Sequence, residues 1–402
     1  MCLAVLLAAL VTAGLPVPVA AATGAGGGHA VAAFLSDQVR DEQWQLRTLR
    51  AQEAWKQADG TGVTVAVIDS GVDGQHPDLV GQVLKGNDFV APGGDGQSDA
   101  VGHGTTVAGL IAGRGDDKRG VLGLAPGAKI LPVRVLDSRN RYDDARVVAN
   151  AVRWSVDHGA EVINMSLGGT VASPELADAI DYAFEKDVVV VACTGNESPP
   201  AEDTMWYPAR EPGVLAVTGL QHDDQNSIWP GALRGPQTVL AAPGTDLVGA
   251  RPSGYWTVEG TSFAAPLVAA AAALLRSKWP LMSAANVVNR LIRTADDLGA
   301  PGRDDTYGFG LVDPVAALNS TMVDVTTNPL DTTPPPGKAR FGRARSSSSP
   351  ATERPESTPT AIPDGEITRQ PRTMPLAGLP AGIAVVIVLV GGAAATLRRL
   401  RL

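Results

Sequence analysis

The sequence predicts an α/β fold, a mostly parallel sheet with helices on both faces, and a transmembrane helix near the C-terminus. Six short runs place the strands: residues 64–69 (TVAVID), 129–136 (KILPVRVL), 161–167 (EVINMSL), 188–193 (VVVVAC), 214–219 (VLAVTG) and 238–244 (TVLAAPG). All are close to continuously apolar, as strands covered on both faces are. Helical patterns lie between several of them, at 104–113, 143–158, 174–186 and 262–277. Such alternation calls for right-handed crossovers and a parallel sheet, with the active site at the carboxyl ends of the strands. Finally, residues 376–397 carry no charge and end in Arg398-Arg399-Leu400-Arg401-Leu402. A bilayer needs about 20 such residues.

Composition narrows the partners. The 402 residues are 44% hydrophobic but only 4% aromatic, so the core is expected to be built from Ala, Val, Leu and Ile. A net charge of -9 and no basic stripe argue against a nucleic-acid partner. The two cysteines are Cys2 and Cys193. Cys2 falls in a segment expected to be removed, which leaves Cys193 as a lone thiol read as a small buried apolar residue.

Taken in order, the apolar run 3–13 and Ala20-Ala21-Ala22 read as a signal peptide over 1–22, although its start lacks Lys and Arg. An N-terminal extension follows over 23–45, opening with Gly-rich coil at 24–28. Trp44, Leu46, Leu49, Ala51 and Trp55 sit at mainly helical spacing within 41–56, which predicts one helix docked on the domain and stopped by Gly60 and Gly62. The large domain that follows is expected to close with 286–295 as a last helix and Tyr307-Gly308-Phe309-Gly310 as a final turn. Pro, Ser, Thr and Arg dominate 319–375, which predicts a disordered linker. The membrane helix over 376–397 and the basic tail 398–402 then place the tail in the cytoplasm and the large domain outside.

Three segments carry polar groups where such a sheet would gather them. Val67-Ile68-Asp69-Ser70-Gly71 puts a carboxylate at the end of an apolar strand; alone it fits a strand-ending Asx turn equally well. Gly102-His103-Gly104-Thr105-Thr106 puts an imidazole at the start of an apolar helix between two glycines. Of the other histidines, His29 lies in the Gly-rich leader, His76 in a turn, His158 at a helix end and His222 in a polar loop. Glu259-Gly260-Thr261-Ser262-Phe263-Ala264-Ala265-Pro266 puts a serine at the positive end of a helix that is apolar all round; alone, Thr261 or Ser262 also fits a helix cap. A serine hydroxyl needs a base, and that base needs an acceptor to fix its tautomer. Asp69, His103 and Ser262 fill these roles in the chain order Asp, His, Ser.

The segments AVIDSGVDGQHPDL, GHGTTVAG and GTSFAAP resemble the Asp, His and Ser signatures of the subtilisin-like serine proteases, over roughly residues 46–318. The resemblance implies a subtilisin-like fold in which Asp69 orients, His103 is general base and then acid, and Ser262 forms the acyl-enzyme. It further implies that Asn196 donates to the oxyanion from its side chain beside the Ser262 backbone N–H; Gly195-Asn196 alone is only a turn signal. Ser166, Leu167 and Gly168 resemble the segment whose backbone pairs with a peptide substrate and walls the first specificity pocket. Gly120 to Pro126 is expected on the opposite edge. Asp99, just ahead of the histidine motif, receives no catalytic role.

No cofactor and no metal site are expected, and Asp116-Asp117 and Asp304-Asp305 read as solvated loops. A signal peptide, a short N-terminal helix, the protease domain, a Pro-rich spacer and one C-terminal helix with a basic tail resemble the mycosins, membrane-anchored proteases of type VII secretion systems. That implies a single-pass cell-membrane protein, catalytic domain extracytoplasmic, acting on protein or peptide substrates beside a type VII secretion complex. The alternatives are a structural subunit of such a complex and a general cell-surface subtilase.

Overall fold

The computed structural model describes residues 38–115, 119–142, 144–197, 204–331 and 360–361. The signal peptide, most of the linker, the membrane helix and the basic tail lie outside them, as do Asp116 and Asp117. No helix among the described residues is long and apolar enough to cross a membrane.

The described strands form a seven-stranded sheet in the order β2-β3-β1-β5-β6-β7-β8. These are β1 (Thr64–Asp69), β2 (Asn87–Asp88), β3 (Lys129–Arg134), β5 (Val162–Met165), β6 (Val189–Cys193), β7 (Leu215–Leu220) and β8 (Leu240–Pro243). Every pairing in it is parallel. The six apolar runs of the sequence are its six long strands, each buried through most of its length.

From β1 the chain runs out to the edge strand β2, helix α3 (His103–Ala112) brings it back to β3, and α4 (Ala145–Asp157) and α5 (Pro174–Glu185) carry it on to β5 and then β6. Helices α4 and α5 pack on each other. From their carboxyl ends the neighbours β1 and β5 send the chain in opposite directions, to β2 and to β6, so the crevice between them is where a ligand is expected in an open α/β sheet. Asp69 and Ser166 stand there. Helix α6 (Thr261–Lys278) packs against α3 and across β5 to β8. It is buried from Thr261 to Arg276, and its run of alanines lets it lie close to the strands. Helices α7 (Ala284–Arg293) and α8 (Pro314–Asn319) pack beside it.

Two sequence expectations change. The single helix expected over 41–56 is two short ones, α1 (Trp44–Thr48) and α2 (Ala51–Ala54), separated by Arg50 in the left-handed region at φ 50°. Docking overrides the periodicity. The Gln43 side chain exchanges two hydrogen bonds with the Leu122 backbone (2.8 and 2.9 Å), Trp44 Nε1 donates to Thr245 O (3.0 Å), Trp55 Nε1 to Leu124 O (2.8 Å), and Arg50 pairs with Asp313. The Trp44 indole also stacks on His222 at 4.3 Å between ring centroids.

An antiparallel hairpin, β9 (Leu247–Arg251) and β10 (Gly254–Val258), is absent from the sequence reading. Arg251 is 2% exposed, donates from Nη1 to Val101 O (2.8 Å) and stacks on Trp256. The hairpin thus links the loop ahead of His103 to the approach to Ser262. A short strand, β4 (Arg141–Tyr142), lies apart from the main sheet.

Packing continues past Leu318. Val325 N donates to Asn286 Oδ1 (2.8 Å), buried Asn328 donates to Gly213 O (2.8 Å), and Leu330 rests on the core. Asp304 is not simply solvated: it accepts from the Thr306 and Tyr307 amides, both at 2.7 Å, and from Ala300 N (3.1 Å). Burial pushes its carboxyl up, but these amides outweigh that and hold it below the usual range.

Candidate active site

β1 ends on Asp69, fully buried, whose Oδ1 accepts from Ser70 N at 2.7 Å and faces His103 Nδ1, also at 2.7 Å. His103 is the first residue of α3. The close approach needs a glycine after it, because a Cβ on Gly104 would fall 2.1 Å from Gly71 O and 3.1 Å from Asp69 Cβ. An acidic acceptor at Nδ1 fixes that nitrogen as the protonated one, so Nε2 is the basic face.

Ser262 is the second residue of α6. Gly260, at φ 144°, turns the chain into the helix and takes the cap position without a side-chain bond. The reading of Thr261 or Ser262 as a cap is therefore corrected: both lie within the helix. The chain neighbours of Ser262 are each tied to a candidate residue. Thr261 N and Oγ1 donate to Asn196 Oδ1 (3.0 and 2.9 Å), and the Phe263 ring sits 5.2 Å from the His103 ring. With its oxygen end bound to Thr261, the Asn196 amide presents its nitrogen end as a donor. The Ser262 N–H is one of the first in the helix, which have no carbonyl four residues back to bond.

The Ser262 hydroxyl donates to Ser166 O (3.2 Å) and lies 3.7 Å from Cys193 Sγ. Cys193 is buried, as expected, but it also touches Ser262. Leu167 is buried, so only its backbone can meet a substrate, and Gly168 lies against Trp206. Gly120 to Pro126 is not a substrate edge. The amides of Val121, Leu122, Gly123, Leu124 and Ala125 donate to Asp78, Gln43, Gly113, Leu110 and Ile111, so these five are not open to a peptide. Among the described residues no His, Cys, Asp or Glu cluster is arranged to hold a metal ion.

A hydroxyl, an imidazole bonded to a buried carboxylate, and an amide donor at a helix start together suit acyl transfer. The Subtilase family model matches residues 60–310, from the turn ahead of β1 to the loop after α7. The chain belongs to the subtilase family. Fervidolysin of Fervidobacterium pennivorans is 36% identical over 317 residues; the match covers 71% of this chain, which spans 45% of that relative's length. Among solved structures, MycP1 from Mycobacterium smegmatis aligns with a TM-score of 0.63 at 30% identity, over 73% of this chain and 88% of that one. The MycP3 protease from the type VII (ESX-3) secretion system aligns with 0.60 at 34%, over 68% and 87%. By sequence and fold the domain is that of a subtilisin-like serine endopeptidase.

Two features of this subtilase site escaped the sequence reading. Pro266 has no N–H, so the Ser262 carbonyl loses its partner four residues on. Ser166 Oγ replaces it, donating to Ser262 O at 2.6 Å while accepting from Asn164 Nδ2 at 2.9 Å. A proline four residues after Ser262 was the available signal. The other feature is Asp99, 7% exposed, whose carboxylate accepts from Ser70 Oγ, Thr105 Oγ1 and the amides of Val101, Gly102 and Thr105, all at 2.6 to 3.0 Å. These bonds fix the backbone on both sides of His103.

Proposed function

We propose that the protein is an extracytoplasmic, membrane-anchored serine endopeptidase that cleaves extended peptide segments through an acyl-enzyme and serves a type VII secretion system. The observation that carries the chemistry is the 2.7 Å bond between Asp69 and His103, with Ser262 held between a residue touching His103 and a residue bonded to Asn196. Ser262 Oγ attacks the scissile carbonyl as His103 Nε2 takes its proton, and Asp69 stabilises the imidazolium. The oxyanion meets Asn196 Nδ2 and the Ser262 N–H at the positive end of α6. His103 then protonates the leaving amine, and water releases the acyl group by the same steps in reverse roles. Replacing Asn196 by alanine should lower kcat by about two to three powers of ten, the loss seen for the equivalent donor in subtilisin itself, with KM little changed. A loss under threefold in a folded variant would remove Asn196 from the oxyanion site.

The anchoring rests on the uncharged 22-residue stretch from Leu376 to Leu397 and the arginines after it. The secretion role draws on the likeness to the MycP3 protease, which belongs to a type VII system. Protease added to intact cells should release the catalytic domain and leave a small membrane-bound C-terminal fragment; a domain protected in intact cells would contradict the topology.

A further inference from the structure

We infer that Trp206 restricts cleavage to peptides with a small residue, glycine, alanine or serine, on the acyl side of the scissile bond; the inference rests on the endopeptidase reading above. β5 and β6 are neighbours in the sheet, with Met165 opposite Ala192. Their continuations leave the sheet on either side of the nucleophile. On one side Ser166 O accepts from Ser262 Oγ (3.2 Å), and on the other Asn196 Oδ1 accepts from Thr261 N (3.0 Å). A carbonyl attacked by Ser262, with its oxygen turned to Asn196, lies at the head of the gap between these two segments. The side chain of the residue owning that carbonyl branches from the adjacent carbon, so the gap is where it has to go.

Trp206 already fills that gap. Its N–H donates to Thr194 O at 2.8 Å, and Tyr207 exchanges both backbone bonds with Gly169, at 2.6 and 3.0 Å. The segment is thereby stitched to both walls. The indole lies against both glycines: a Cβ on Gly195 would fall 2.5 Å from the ring, and one on Gly168 2.8 Å from Trp206 Cβ and 3.3 Å from its ring. Trp206 is 5% exposed. A ring packed on one glycine of each wall, with its backbone bonded to both segments, leaves room for a methyl or a hydroxymethyl and none for a branched or aromatic side chain. To admit phenylalanine the indole would have to leave its packing and face water.

The test uses the full-length protein and a set of peptides identical except for alanine, leucine or phenylalanine at the acyl position. Wild type should cleave the alanine peptide with kcat/KM at least about a hundredfold above the phenylalanine peptide. Trp206→Gly and Trp206→Ala should narrow the ratio of the alanine to the phenylalanine value by at least about tenfold. If neither variant folds, Trp206→Leu, which keeps an apolar side chain there, should narrow the ratio in the same direction. A wild type that prefers phenylalanine overturns the inference, as does an unchanged ratio in a folded variant. Labelling of Ser262 by a fluorophosphonate separates the two readings. Labelling together with a preference for phenylalanine sinks only the role of Trp206, whereas no labelling and no cleavage of any peptide sinks the endopeptidase reading and this one with it.

Discussion

Replacing Ser262 by alanine should lower peptide hydrolysis by about a millionfold, the loss that subtilisin itself shows, while the protein folds and melts as before. The second half of that expectation comes from the contacts. The helix start is held by Thr261 and by the Ser262 carbonyl, neither of which the substitution removes. A fluorophosphonate should label the wild type and leave Ser262→Ala untouched. Equal labelling of both would place the nucleophile elsewhere. The same variant divides the proposed secretion role: in a strain lacking the protein, failure of Ser262→Ala to restore secretion makes proteolysis the contribution, and full restoration makes it structural.

What could be read from the sequence was whatever is local. Asp69 ends a run of four apolar residues, His103 opens a helix, and Ser262 stands in the first turn of an alanine-rich one; strand and helix periodicities place all three at one end of the sheet. The residues that hold them in place were less legible because their partners are distant in the chain. Arg251 reaches Val101 across 150 residues, Trp44 reaches Thr245 across 201, and Gln43 reaches Leu122 across 79. Nothing in LVGAR suggests a strand, since its glycine and arginine break the apolar pattern. The buried arginine makes sense only once the Val101 carbonyl and the Trp256 ring are beside it. Arg50 shows the converse case. The spacing around it is helical, yet its pairing with Asp313 and the anchoring of both flanking tryptophans turn it left-handed and divide the helix.

Removing the Asp69 carboxylate should be the next most costly change after loss of the nucleophile. Asp69→Ala is expected to lower kcat by about four powers of ten, as in subtilisin, with KM within a few fold of wild type. Two donors depend on one oxygen: Oδ1 accepts from both Ser70 N and His103 Nδ1 at 2.7 Å, in a place with no exposed surface. Without it the imidazole loses its fixed tautomer, and the imidazolium formed during attack loses its counter-charge. Asp69→Asn separates the two losses. An amide oxygen in the Oδ1 position can keep both hydrogen bonds, and with them the tautomer, while the charge is gone. Asp69→Asn should therefore retain clearly more activity than Asp69→Ala, and the gap between them measures the orienting role. Equal losses, measured as kcat at saturating peptide in variants that still fold, would mean that the amide does not hold the productive tautomer, its nitrogen rather than its oxygen facing Nδ1.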